Sequence, residues 1–156
     1  MEDFPEYEKI LSKIRRFCVY RDRSEKEVRD KLRQYGLSSE KAETILLRLK
    51  KENFVNDDRF ARQYIRGKFY VNRWGKRKIR AGLRQHALDK NLIDIAPEQE
   101  IPPEAYMSAI RLLIHRQLEK YAGLPPEKIL PKIYRYLESK GYEPEIFYEI
   151  LKDELR

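Results

Sequence analysis

NDDRFARQYIRGKFYVNRWGKRKIRAGLRQHALDKN, residues 56–91, is a pair of helices around a turn. Asn56-Asp57-Asp58 is a helix-start signal, a capping side chain followed by two acids where the helix dipole favours negative charge. Phe60, Ala61, Tyr64, Ile65 and Phe69 recur at the spacing of one buried helical face. Arg59, Arg62, Arg66 and Arg73 fall on a different face. Residues 72–75, with Gly75 at their end, read as a turn. A second helix then buries Ile79, Leu83 and Ala87 and shows Lys76, Arg80 and Arg84 at i, i+4 and i+8.

The pair is one-sided in charge. From Arg59 to Leu88 there are ten cations (Arg59, Arg62, Arg66, Lys68, Arg73, Lys76, Arg77, Lys78, Arg80, Arg84) and no acid. Phe60, Tyr64, Phe69, Tyr70 and Trp74 are interleaved with them. A polyanion is the commonest partner of such a run, and a solvated helix face is its plainer explanation. The chain of 156 residues has a formal charge of +8, yet residues 97–156 hold nine Lys/Arg and eleven Asp/Glu, a balance of −2. The excess, +10, therefore belongs to residues 1–96, where a polyanion should dock.

Outward from this centre the pattern stays helical. Before it, a helix over 5–20 buries Tyr7, Ile10, Leu11, Ile14, Phe17 and Cys18. Next, Ser24 and Glu27 form a capping box ahead of Val28, Leu32 and Tyr35, and Gly36 ends that helix. Ser38 or Ser39 caps a third helix with Ala42, Ile45, Leu46 and Leu49 inward. After the centre, Pro97, Pro102 and Pro103 predict at most a short helix around 95–101. Long helical patterns follow over 104–122, from Pro131 to Gly141, and from Pro144 onward.

Val28-x-x-x-Leu32-x-x-x-Gly36 repeats as Ile79-x-x-x-Leu83-x-x-x-Ala87 and again as Ile133-x-x-x-Leu137-x-x-x-Gly141. Leu32-Arg33-Gln34 and Leu83-Arg84-Gln85 share their residues in register. Near-constant spacing of about fifty residues indicates an array of helical units. The expected fold is all-α, with three-helix repeats over 1–55, 56–102 and 103–156. The middle repeat is the basic one, and its third helix is expected to be shortened by proline.

These residues resemble the bacterial RecX regulatory family. The matching pieces are Arg23-Ser24-Glu25-x-Glu27-Val28, Phe54-Val55-Asn56-Asp57-Asp58-Arg59-Phe60-Ala61, Gly75-Lys76-x-Lys78-Ile79-x-x-x-Leu83 and Ile133-Tyr134-Arg135-Tyr136-Leu137-x-x-x-Gly141-Tyr142. They run in order over about residues 8–151. Ala87 departs from the family, which has glycine there. The resemblance implies an elongated, curved array of three-helix units without catalysis or cofactor. It implies a modulator of the RecA recombinase in DNA repair and recombination. Such a protein lies in the groove of the RecA nucleoprotein filament, inhibits ATP hydrolysis and strand exchange or promotes disassembly, and binds single- and double-stranded DNA. A helix-turn-helix-like DNA-binding regulator is the alternative.

The candidate contact residues are Arg59, Arg62, Arg66, Lys68, Arg73, Trp74, Lys76, Arg77, Lys78, Arg80 and Arg84, with a second cationic face at Arg23, Lys26, Arg29 and Arg33. Trp74, in the turn, is placed to stack on a base, anchor a protein contact or pack against a neighbouring unit. Asp57 and Asp58 read as cap and first-turn charge rather than metal ligands. His86 and His115 are isolated, and with a single cysteine they assemble no zinc set. Gly75-Lys76 lacks the rest of a phosphate loop. No nucleophile–base pair is present, so no catalytic residue is expected. Lone Cys18, the lack of a 20-residue apolar run, and an N-terminus (MEDFPEYEK) unlike a signal peptide predict a cytoplasmic monomer off the membrane.

Overall fold

A computed structural model of the protein describes residues 4–156. Met1, Glu2 and Asp3 of the leader reading lie outside the described residues. Among the described residues nine α-helices follow in order: α1 (Phe4–Tyr20), α2 (Glu25–Gln34), α3 (Ser39–Lys51), α4 (Asp57–Arg66), α5 (Lys76–Gln85), α6 (Lys90–Glu100), α7 (Pro103–Lys120), α8 (Pro126–Ser139) and α9 (Pro144–Glu154). A π-helical segment, Gly67–Val71, prolongs α4. No strand occurs among the described residues. The fold is all-α, and its helices fall into groups of three.

Local chemistry sets the helix ends as the sequence indicates. Ser24 Oγ accepts from the Glu27 amide at 3.1 Å while the Ser24 amide donates to Glu27 Oε1 at 3.2 Å, a complete capping box on α2. Ser38 caps α3, and Asn56 Oδ1 accepts from the Arg59 amide at 3.0 Å to cap α4. The helices α2 and α8 end at left-handed glycines, Gly36 (φ 84°) and Gly141 (φ 97°). At the same place after α5, Ala87 takes φ 54°, a conformation in which its Cβ is crowded.

Two apolar cores form. Leu11, Ile14, Val28, Leu32, Ile45, Leu46, Leu49 and Val55 make the core of α1–α3. A single second core runs through α4–α9 and includes Phe60, Ile65, Ile79, Leu83, Ile110, Ile133, Leu137, Tyr142 and Phe147. The middle and last groups are therefore fused by burial, while the first stands on its own core.

The third helix of the middle group is not shortened. α6 spans 11 residues, the same as α9, with Pro97 inside it. Proline cannot donate to the carbonyl four residues back, here that of Ile93. Arg80 supplies the missing donor: its Nε reaches the Ile93 carbonyl at 3.3 Å and an Nη reaches that of Asp94 at 2.9 Å. The helix runs on to Glu100 and stops before Pro102-Pro103.

Candidate nucleic-acid interface

The second helix of a group begins by donating its amides into the group that follows. Glu25, first in α2, gives its amide to Asp57 Oδ1 of α4 at 2.8 Å. Lys76, first in α5, gives its amide to the buried Tyr106 hydroxyl of α7 at 3.0 Å. Gly75 and Arg77 extend this second junction, donating to the carbonyls of Lys140 (2.7 Å) and Gly141 (3.0 Å) at the end of α8. The N-terminus of α5 thus meets the C-terminus of α8, and their dipoles attract. Contact this close requires glycine on both sides: a Cβ on Gly75 would stand 2.4 Å from backbone atoms of Gly141 and Tyr142.

The first junction is polar. Arg59 Nε donates to Asp22 at 2.7 Å, and its other nitrogens reach the carbonyls of Asn53 and Phe54. Ser24 Oγ lies 3.2 Å from His86 Nδ1. Burial and the Glu25 carboxylate push Asp57 up to about 6. Asp57 thus receives the start of α2 as well as standing at the start of its own helix, and Asp58 pairs with Arg62 at 2.8 Å.

The cations of residues 59–84 do not form one open face, because acids from elsewhere in the chain reach many of them. Arg62 bonds Glu100 at 3.0 Å, and Arg66 pairs with the same carboxylate, tying α4 and its extension to α6. Lys76 is buried, with Nζ 2.9 Å from Glu98 and 4.6 Å from the Tyr106 ring centre. Arg80 shares Glu98 at 3.0 Å. Lys76, then Arg80, hold the Glu98 carboxyl below the usual carboxylate range. Arg77 meets Glu145 at 3.1 Å on the open surface, where such a pair is worth little. Arg84 is exposed on α5 away from these pairs.

The second cationic face is likewise engaged. Arg23 lies 3.7 Å over the Phe17 ring and donates to the Phe17 carbonyl at 2.9 Å. Lys26 and Arg33 both reach Asp30, and Arg29 reaches Glu43.

A different set converges around Trp74. Lys68 Nζ, from the π-helical segment, lies 4.6 Å from the ring centre, and Lys78 Nζ, from α5, lies 4.5 Å from it. Arg73, with φ 58°, turns the chain there, and its carbonyl accepts from the Tyr142 hydroxyl at 2.9 Å. Lys140 at the end of α8 donates to the Asn72 carbonyl at 2.8 Å. Burial, then the charges of Lys78 and Arg73, lower its ammonium pKa. Among the described residues, no carboxylate lies within 4.0 Å of Lys68, Arg73, Lys78 or Lys140. Lys140 is absent from the sequence-derived set. Its only sequence signal is its place before the glycine of the third repeat, which does not tell that Gly75 docks there.

Fold and site together define an all-helical repeat protein with a cationic, ring-centred cluster at a junction between units. Its residues 12–49 match the family profile described as "RecX, first three-helix domain", and residues 56–96 match "RecX, second three-helix domain". The chain belongs to the RecX family of regulatory proteins. A regulatory protein RecX of Pasteurella multocida (strain Pm70) is 32% identical over 129 residues, covering 81% of this chain and 76% of that one. One of Limosilactobacillus reuteri (strain DSM 20016) is 28% identical over 147 residues, 94% of this chain. The chain spans only about half the length of several such relatives, 55% of that protein and 50% of the one from Oceanobacillus iheyensis. A crystal structure of a regulatory protein RecX superposes with a TM-score of 0.83 at 26% identity, covering 95% of this chain and 72% of that one. The structure of RecX from Lactobacillus salivarius, at 21% identity, shares the fold with a TM-score of 0.86 over 96% of both chains.

Proposed function

We propose that this protein is a non-enzymatic regulator of the RecA recombinase, acting as a monomer in the cytoplasm. It binds in the helical groove of the RecA–DNA filament and inhibits it. The observation that carries the reading is the locked junction of α5 on α8. It makes α4–α9 one body with cations held in fixed positions, as docking along a polymeric, negatively charged assembly requires. Contacts to RecA or DNA draw on the members of the sequence-derived set that are not turned onto buried or interhelical acids: Lys68, Arg73, Trp74, Arg77 (paired with Glu145 only on the open surface), Lys78 and Arg84. No helix among the described residues is long and apolar enough to cross a membrane.

The test is RecA ATPase on single-stranded DNA, and strand exchange, with the cognate recombinase and substoichiometric regulator. Both should fall. Undiminished rates in both refute the proposal. The helix-turn-helix alternative needs α5 to present free base-reading side chains, whereas Lys76 and Arg80 are turned onto Glu98. Sequence-specific footprints on genomic DNA would restore it.

A further inference from the structure

We propose that the first and last units present complementary surfaces, and that one chain docks the exposed tip Leu124-Pro125-Pro126, at the start of its α8, into a groove between α1 and α3 of a second copy. The inference goes beyond the regulatory reading above, whose acting species is the single chain: it joins chains in series where they are crowded together.

The junctions inside the chain show what such a groove is built to hold. At each one, the start of a second helix (α2 or α5) is received by the start of the next unit's first helix and the end of its second. Asp57 and Tyr106 are acceptors in the first turns of α4 and α7. His86 ends α5 and meets Ser24 Oγ, while Lys140 and Gly141 end α8 and accept from Gly75 and Arg77. The first unit has the same two features. Glu6 and Tyr7 stand in the first turn of α1, and Tyr35 and Gly36 end α2 as Lys140 and Gly141 end α8. A Cβ on Gly141 would strike Lys78 of the docked helix at 2.4 Å, whereas one on Gly36 would meet no atom within 4 Å. Beside Gly36 opens a groove of about 580 Å³, walled by Tyr7 and Ile10 of α1, Leu37 of the turn, and Thr44 and Ile45 of α3.

The matching donor is α8. It is the second helix of its unit, and no further unit follows it among the described residues. Glu25 and Lys76 lie three residues before the repeat positions Val28 and Ile79, but Pro126 lies seven before Ile133. So α8 starts one turn early, about 6 Å at 1.5 Å per residue. Residues 122–128 around that start are all exposed, Leu124 by 41%. A protruding apolar tip and a recessed apolar groove each leave water when they meet. Electrostatics agree: the start of α8 brings the positive end of a helix dipole to the negative end of α2, as the start of α5 does to the end of α8. Residues 1–96 carry +10 and residues 97–156 carry −2, so docking last unit to first sets opposite charges together. The contact is heterologous, so it makes an open series rather than a closed pair. Its small size keeps it weak and confines it to crowded chains.

Thiol crosslinking of the full chain tests the contact. Glu127→Cys puts a thiol on the tip and Thr44→Cys one on the groove wall, both at exposed positions. Cys18 is buried, and the wild-type chain serves as blank. Protein at about 1 mM, where even millimolar contacts are populated, is treated with a short bismaleimide. The double variant should give a ladder of oligomers. When the two single variants are mixed, dimers joining 44 to 127 should exceed same-variant dimers roughly tenfold, because docked thiols meet at an effective concentration far above bulk. Arg135→Cys, exposed further along α8, should substitute poorly for Glu127→Cys. Adding Leu124→Asp should abolish the ladder and leave the circular dichroism melt unchanged. Equal yields from Arg135→Cys and Glu127→Cys overturn the proposal. So does a ladder that survives Leu124→Asp, or a double variant that stops at dimers. Without crosslinker, sedimentation of the wild-type chain should show an average mass that rises with concentration; a mass fixed at one chain up to the same concentration also overturns it.

Discussion

Replacing Tyr106 with phenylalanine removes one oxygen from the junction between the middle and last groups and leaves the ring in place. Tyr106 is 2% exposed. Its hydroxyl accepts from the Lys76 amide at 3.0 Å and donates to the Glu143 carboxylate. Without it, the first amide of α5 is left buried and unpaired, which costs about 1–3 kcal/mol. The lost bond to a carboxylate adds about 1 kcal/mol, at the low end because half-exposed Glu143 regains water. The sum is about 2–4 kcal/mol, or a fall in Tm of roughly 4–15 °C for a chain of this size. Urea unfolding followed by circular dichroism and by Trp74 emission measures it. A loss below ~0.5 kcal/mol by both probes would refute the claim that α7 caps α5 across the junction.

Further outcomes are expected elsewhere. Ala87→Gly should stabilise the protein by about 0.5–1 kcal/mol in chemical denaturation, because Ala87 is exposed and holds φ 54°. Gly75→Ala should destabilise by roughly 3 kcal/mol and shift Trp74 emission, since its Cβ meets backbone at 2.4 Å and threatens two interunit hydrogen bonds. Arg80→Lys should cost about 1–2 kcal/mol by the same denaturation, as a single ammonium cannot serve the Ile93 and Asp94 carbonyls and Glu98 together. Asp57 is raised from 3.8 to about 6 in the fold, so its contribution to stability is present in full below pH ~4 and lost as pH rises through ~6. Asp57→Asn keeps the acceptor for the Glu25 amide and loses the repulsion. Its unfolding free energy in urea should rise relative to wild type across that window, by about 1–2 kcal/mol at pH 7.

The helices, their caps and the repeat were legible because each rests on residues close in sequence. Ser24 and Glu27 are three apart, and a buried face recurs every turn. Pro97 misled for the same reason: the donor that rescues its helix, Arg80, is 13 residues away from Ile93 on another helix. The cationic stretch was legible as composition but not as a surface. From Arg59 to Leu88 the chain supplies no acid, so local sequence shows only repulsion. Folding brings Asp22 to Arg59 across 37 positions, Glu100 to Arg62 across 38 and Glu98 to Lys76 across 22. By itself, then, the sequence determined the elements, the register of the repeat and the sign of the charge. Only the tertiary structure decided which cations are neutralised and which meet around Trp74, because ion pairing depends on distance in space, and that distance is set by how α6, α7 and α8 pack against α4 and α5.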